Sequence, residues 1–445
     1  MNLDTLGSGR SLVLGFGREG RALERAVLAR GGDPRIEVLC DRVPEVTPQH
    51  WPLAVGALET VAAVPDRVLR SPGVPCDHPV LRRWRDAGVE VTCISSLWFG
   101  ERPDARVIAV TGSKGKSTTA ALVAHMLSAS GRTVELGGNI GVPMLDLVEA
   151  RPDWFVVELS SYQLADLQGH AAIGAITRLF PEHQDWHRGV EAYYAAKLRL
   201  IDLLDGGPLW INGGDPVLAR AVADRPGVQR INGRDGIMVE ERGVVDRGIV
   251  AGGRLVLPAG DSPLPGRHNL DNIALALGVV GSVIDDPAAA CASLASFRPL
   301  PHRLERVPAE TPEAWINDSI STTPYATLAA LQAVAAPVVL IVGGLERGAD
   351  WSVVAGHCRQ NPLAGLVGLP DNGGSICRQL TAMDAVDPAR AVTAANMPEA
   401  VARARDLCRG EGTVLLSPGA PSFPHFRDFE QRGRAFVEAV RKLDR

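Results

Sequence analysis

No apolar run in this 445-residue chain reaches the roughly 18 residues that a membrane-spanning helix needs. The segment from Met1 to Arg10 lacks the apolar core of a signal peptide. Positive charge is not in excess either. A net charge of -5 argues against a nucleic-acid binder that works by bulk electrostatics, so any phosphate recognition has to come from local loops. Cysteine is sparse and shows no pairing pattern. Cys40, Cys76, Cys93, Cys291, Cys358, Cys377 and Cys408 are scattered without C-x-x-C spacing, which indicates neither a zinc site nor a disulfide framework. Repeats of solenoid length and low-complexity tails are also missing. These absences predict a cytoplasmic protein with free, buried thiols, with no nucleic-acid or membrane partner. A composition 46% hydrophobic and 22% charged is that of a globular chain.

The length exceeds one ordinary core and predicts two to four domains. Ser11-Leu-Val-Leu-Gly15 reads as a strand, Arg21 to Arg30 as a helix and Ile36 to Cys40 as a second strand. Strand, helix, strand is a βαβ unit and implies a parallel sheet. The pattern restarts near residue 100, with a strand at Arg106-Val-Ile-Ala-Val110, a glycine-rich loop and a helix from about Ser117. It restarts again after Phe297-Arg-Pro-Leu-Pro301, a connector stiffened by two prolines. Pro337 to Gly343 and Thr413 to Ser417 read as buried parallel strands. The expected fold class is α/β in three domains, 1–99, 100–299 and 300–445. The first is Rossmann-like, the second a P-loop ATPase-like parallel-sheet domain, and the third Rossmann-like. Asn232 to Gly266, Gly-rich with alternating apolar residues, reads as a β-ribbon insertion.

Thr111-Gly-Ser-Lys-Gly-Lys-Ser-Thr118 lies between a strand and a helix. Gly112 and Gly115 let backbone N–H groups close around phosphate oxygens, and the helix adds its positive end. Lys116 is placed to reach the β- and γ-phosphates of ATP and Ser117 to ligate Mg²⁺, with Ser113, Lys114 and Thr118 beside them. The pattern G-x-x-x-x-G-K-[ST] is not met, because Val110 stands where its first glycine belongs.

That compact loop resembles the one in Mur ligases and the related folylpolyglutamate synthases. Further motifs follow in the same order: Gly137-Gly-Asn-Ile-Gly141 with Asn139 at its centre, Glu158-Leu-Ser-Ser161, and His183 with Lys197. Gly266-Arg-His-Asn-Leu-Asp-Asn272, Leu300-Pro-His-Arg303 and Asn317-Asp-Ser319 resemble the family's nucleotide-binding elements. Ser417-Pro418 and Phe429-Glu-Gln-Arg-Gly433 resemble closing segments of the glutamate-adding muramoyl ligases, and the latter, with the N-terminal domain described below, counts against the folate enzymes.

The resemblance implies γ-phosphoryl transfer from ATP to the alanyl carboxylate of UDP-N-acetylmuramoyl-L-alanine, followed by attack of the glutamate amine. Two Mg²⁺ sites come with it: Ser117 and Glu158 at the first, His183 and a carbamylated Lys197 at the second. It makes Lys116, His183 and Lys197 the catalytic residues. It also brings phosphate and ribose contacts from Arg303 and Asp318, and adenine contacts from Asn269 and Asn272. Closure of the third domain about Arg298 to Pro301 is implied as well. Two small molecules and ATP account for the motifs, so a monomer without a protein partner is expected.

Gly15-Phe-Gly-Arg-Glu-Gly20, with Asp41 about twenty residues on, is a dinucleotide fingerprint that by itself predicts NAD. The same geometry serves any diphosphate. In the family's pattern Gly17, Arg18, Glu19, Asp41, Arg42 and the loop Ser71-Pro72-Gly73 match uridine-diphosphate positions, and Asn139 belongs with the substrate set. Departures cluster elsewhere. Ile320 stands where the D-glutamate-adding enzymes carry lysine, Arg347 replaces a family lysine, and Arg178-Leu-Phe-Pro-Glu182 precedes His183 where the family favours Asn and Asp. These changes resemble a branch that adds L-glutamate, the alternative being the D-glutamate enzymes. Thr322, Arg347, Ser422, Phe423 and Phe429 would then line the amino-acid pocket.

Overall fold

Runs of Val, Ile, Leu and Ala bounded by glycine become central strands, buried on both faces as parallel sheets require. In the computed structural model, which describes residues 1–31, 35–233, 236–242 and 245–443, twenty strands form four sheets among the described residues. The first sheet contains β1 (Arg10–Leu14), β2 (Arg35–Cys40), β3 (Leu53–Val55), β4 (Arg67–Arg70) and β5 (Glu90–Cys93). Its order is β3-β2-β1-β4-β5 and every pairing is parallel. The second contains β6 (Val107–Thr111), β7 (Val134–Gly138), β8 (Trp154–Glu158), β9 (Ile173–Ile176), β10 (Leu209–Asn212) and β11 (Val228–Ile231). Its order, β11-β10-β9-β6-β8-β7, is again all parallel, and the chain changes side at β6.

The chain packs as two compact units, Met1–Asp261 with Asp271–Ser296, and Ser262–Leu270 with Phe297–Arg445. The first unit holds both of these sheets because the helix Ile94–Glu101 serves them together. Leu97, Trp98 and Phe99 share one apolar core with Val13 and Leu69 of the first sheet and with Phe155 and Val157 of the second. Trp98 meets Phe155 edge-on at 4.9 Å. Residue 99, where the sequence marked a boundary, lies inside this helix.

The expected ribbon is a three-stranded antiparallel sheet, β12 (Ile237–Arg242), β13 (Val245–Ala251) and β14 (Arg254–Pro258), with register shifts at Glu240/Glu241 and Ile249/Val250. Residues 234, 235, 243 and 244 of that stretch lie outside the described residues.

The second unit carries β15 (Glu305–Val307), β16 (Ala314–Asn317), β17 (Val338–Val342), β18 (Gly365–Gly368), β19 (Ala391–Thr393) and β20 (Thr413–Leu416) in the order β15-β16-β20-β17-β18-β19. The two strands expected to be buried and parallel, β17 and β20, are neighbours at its centre. Only β15 runs antiparallel, to β16. Pro324 is the first residue of the helix Pro324–Leu331, where its missing N–H costs nothing. The Thr323 hydroxyl caps that helix by accepting from Ala326 N. No helix among the described residues is long and apolar enough to cross a membrane.

Candidate active site

Ligands in open α/β sheets collect beyond the carboxyl ends of the strands, where the strand order reverses. Here β6 ends at Thr111, β8 at Glu158 and β9 at Ile176, side by side. The loop after β6 needs its glycines. Gly112 has φ 140° and a Cβ there would lie 2.0 Å from Thr177 Oγ1; Gly115 has φ 90° and a Cβ would lie 2.3 Å from Asn272 Oδ1. Gly115 then opens the 14-residue helix Lys116–Ala129 with no side chain capping it, so its first N–H groups remain for an anion. Lys116 Nζ curls back to Ser113 O at 3.0 Å.

Two residues of the loop have their side chains engaged within the protein. The buried Ser113 hydroxyl donates to Phe180 O (2.9 Å) and accepts from Phe180 N (3.0 Å) and Tyr193 Oη (2.9 Å), so it braces the loop from behind. Lys114 pairs with Glu182 at 3.2 Å. Burial pushes the Glu182 carboxyl up, but Lys114, Lys116 and His183 outweigh it and hold the group below the usual carboxylate range. Neither Glu182 nor Tyr193 was expected as a site residue. Tyr193 had a signal, since it stands four residues before Lys197 on the helix Val190–Leu198 and so shares its face.

Glu158 is 1% exposed. Its Oε1 accepts from Asn139 Nδ2 at 2.8 Å, and its Oε2 has no hydrogen-bond partner among the described residues. An orphaned buried carboxylate oxygen beside a phosphate loop suits a hard divalent cation. Among the described residues no three His, Cys, Asp or Glu side chains gather as a ready-made metal cage, so phosphate oxygens and water would complete the shell.

Lys197 is 2% exposed, with Nζ 4.9 Å from the Tyr193 ring centroid. Burial first, and then the Lys116 charge, push its ammonium pKa well below the usual lysine value. His183 sits in the left-handed region (φ 51°), heading the short helix Gln184–His187. Its ring lies 5.0 Å from that of Tyr162 and 6.1 Å from that of Tyr193, and although the residue is exposed, desolvation and the nearby lysines push its pKa down to about 4, against the pull of Glu182. It is therefore neutral at physiological pH.

The first sheet faces a cleft of about 770 Å³ lined by Gly17, Arg18, Glu19, Asp41, Arg42, Ser71, Pro72, Gly73 and Asn139, all of the substrate residues expected in this unit. Ser71 Oγ donates to Gly15 O at 2.9 Å and joins the cleft's two loops. Glu19 lines the cleft with its carboxylate partly engaged behind it. Its Oε1 accepts from Ser95 Oγ (3.0 Å) and Gln163 Nε2 (2.7 Å), its Oε2 has no hydrogen-bond partner among the described residues, and burial pushes its pKa up.

In the second unit, Asp318 is buried just beyond β16. It accepts from Ser417 Oγ (2.9 Å), Ser321 Oγ and Leu304 N (3.2 Å), and burial pushes it up to about 6 despite these bonds and the Arg303 charge. Close by, Arg432 is 1% exposed and donates to Ser319 Oγ (3.1 Å), Ser319 O (2.8 Å), Gly343 O (3.3 Å) and Ala420 O (2.9 Å). Burial lowers its pKa to about 9. It lies in the Phe429-Glu-Gln-Arg-Gly433 segment but was not expected as a site residue. Phe429 joins the same cluster through its carbonyl, which accepts from Ser319 Oγ at 2.8 Å. Ser422 is buried, Thr322 half-buried, and Arg347 and Phe423 exposed. Asn269 Nδ2 donates to Pro265 O at 2.7 Å within the second unit, whereas Asn272 stands beside Gly115 in the first.

Comparison with known proteins accords with this geometry. A model of the Mur ligase middle domain matches residues 110–280. A protein from a Micromonospora strain, named UDP-N-acetylmuramoyl-L-alanine--L-glutamate ligase, is 39% identical over 455 aligned residues, which cover 99% of this chain and 98% of the relative. Among solved structures, the UDP-N-acetylmuramate-alanine ligase MurC of Thermotoga maritima superposes with a TM-score of 0.62 at 20% identity, covering 97% of this chain and 99% of that one. The MurF ligase of the same organism in complex with ADP gives 0.59 at 16%, covering 100% and 97%. These two similarities speak for the fold. Near-identical length and more than a third of positions shared with the Micromonospora protein go further: this chain belongs to the Mur ligase family, the ATP-dependent amino-acid ligases.

Proposed function

We propose that this enzyme couples L-glutamate to UDP-N-acetylmuramoyl-L-alanine through an acyl phosphate, releasing ADP and phosphate. The observation that carries the reading is Asn139. It lines the cleft of the first sheet and also bonds Glu158 at the end of β8, so a nucleotide-sugar held in that cleft would present its far end to the phosphate loop. The first sheet would take the uridine nucleotide, the second the ATP phosphates, and the C-terminal unit would bring glutamate and nucleotide contacts, a functional division at about residues 99 and 299.

A carboxylate oxygen is a poor leaving group, so activation has to come first. Lys116 would leave Ser113 O and follow the γ-phosphoryl group as it moves to the alanyl carboxylate. The glutamate amine would then form the C–N bond, with phosphate leaving from a tetrahedral intermediate. Ser117 and Glu158 Oε2 fit one Mg²⁺, and His183, neutral with a lone pair available, fits a second. Mg²⁺ supplies charge neutralisation between two anionic reactants. A depressed ammonium pKa leaves Lys197 Nζ free to take up CO₂, forming an N–C bond with loss of a proton and leaving an anionic oxygen donor. The protein would act as a monomer in the cytoplasm.

The preference for the L enantiomer rests on the name of the Micromonospora relative and on Ile320 and Arg347. The test is ADP release with UDP-N-acetylmuramoyl-L-alanine, ATP and each glutamate enantiomer, for wild type and Lys116→Ala. Release is expected only with both co-substrates, faster with L-glutamate, and abolished in the variant. Turnover without the nucleotide-sugar, or undiminished peptide-bond formation in Lys116→Ala, would defeat the assignment; faster turnover with D-glutamate would reverse the enantiomer alone.

A further inference from the structure

Four successive carbonyls of the cleft loop, Ser71 to Val74, are turned toward two side chains that the mechanism does not use. Arg70, at the end of β4 and fully buried, donates from Nη1 to Ser71 O (3.2 Å), Pro72 O (3.2 Å) and Val74 O (2.6 Å). Trp186 Nε1 donates to the remaining one, Gly73 O, at 3.1 Å. Arg70 is itself pinned. Its Nε bonds Asp166 Oδ2 (3.0 Å), its Nη2 pairs with Asp166 Oδ1 (2.5 Å), and Nη2 also donates to Tyr162 O (2.9 Å). Trp186 stacks on the Tyr162 ring at 4.5 Å and 25°, and Arg70 lies 5.7 Å from the Trp186 ring centroid.

The geometry points to Arg70 and Trp186 as positioning residues for the nucleotide-sugar, an assignment that rests on the function proposed above. Carbonyl oxygens facing the cleft would repel a diphosphate. With all four bonded elsewhere, the one uncommitted backbone donor of residues 71–74 among the described residues is Gly73 N–H. Trp186 also stands three residues after His183, on the short helix that His183 heads. The cleft loop and the catalytic histidine therefore share an anchor, and the position of the sugar end is set together with that of His183.

Trp186→Phe keeps the ring stack and removes only the N–H donor. Losing one such bond corresponds to a change of about 2- to 12-fold in binding. Initial-rate kinetics should show the KM for UDP-N-acetylmuramoyl-L-alanine rising about fivefold, with the KM values for ATP and glutamate unchanged and Tm within about 2 °C of wild type. Arg70→Lys, which keeps the charge beside Asp166 but cannot span three carbonyls, should raise the same KM further. An unchanged nucleotide-sugar KM in Trp186→Phe, or a common shift in all three KM values, would overturn the assignment. Calorimetric titration of the wild type with the nucleotide-sugar separates the two ideas. Absence of binding would remove the functional reading and this inference with it; binding with an unaltered Trp186→Phe removes the inference alone.

Discussion

Replacing Glu182 by glutamine keeps the shape of the side chain and deletes a charge surrounded by Lys114, Lys116 and His183. The carboxylate is 5% exposed and its partner Lys114 is 32% exposed, at 3.2 Å. Exposed ion pairs are worth about 0–1 kcal/mol and breaking a buried one costs about 3–5 kcal/mol; with one partner buried and Lys114 able to turn to water, a loss of about 1.5 kcal/mol is expected. Urea denaturation at neutral pH would report it as a lower midpoint with unchanged slope. In the proposed function the loop that Lys114 belongs to cradles phosphate, so the KM for ATP should rise about tenfold, the equivalent of about 1.4 kcal/mol, while the nucleotide-sugar KM stays put. The sign with pH also follows. A carboxyl held below its ordinary 4.5 stabilises the fold above that pH and loses its contribution as pH falls through the lower, folded value. Glu182→Gln should lack that acid limb. Combined with Lys114→Met, the pair should show coupling, since each removes the same interaction. Equal stability and an ATP KM within twofold of wild type would refute the reasoning.

Lys197→Ala should lower kcat by about 100-fold or more, with partial recovery in millimolar acetate or propionate, and the wild type should lose activity in CO₂-depleted buffer; steady-state rates with and without bicarbonate check both. Asp318 is raised from 3.8 to about 6, so its folded form holds a proton that the unfolded chain has lost between those values. Its contribution to stability falls as pH rises from about 4 to about 6 and stays lost above. Asp318→Asn should remove that slope, worth up to about 3 kcal/mol at 1.36 kcal/mol per pH unit, as read from urea midpoints at pH 4 and pH 7.

Much of this architecture is written locally. The cores of β6, β17 and β20 are short apolar runs closed by glycine or serine, and the phosphate loop announces itself between strand and helix. Local pattern errs where a distant residue decides. The first helix was expected from Arg21, but it begins at Arg18 with Gly17 as its cap, and that start carries Glu19 inward to Ser95 and Gln163. That Tyr193, 80 residues away, donates to the Ser113 hydroxyl is not legible in the loop's own sequence. Glu182 looked like a departure from a family pattern; its value comes from Lys114 across the fold. Arg432 lies within the Phe429–Gly433 segment, yet nothing near it in sequence reveals the three loops it holds.

That buried guanidinium has a consequence for how substrate choice can change. The backbone at Ser319, Gly343 and Ala420 is fastened to one side chain, which leaves the residues just beyond each fastening, Ile320, Arg347 and Ser422 among them, as places where a side chain can be exchanged without re-solving the course of the main chain. Lysine in its place would carry the charge but could not reach in three directions. Chiral preference in this enzyme would then be adjustable at the tips, while the hub beneath them tolerates no substitute.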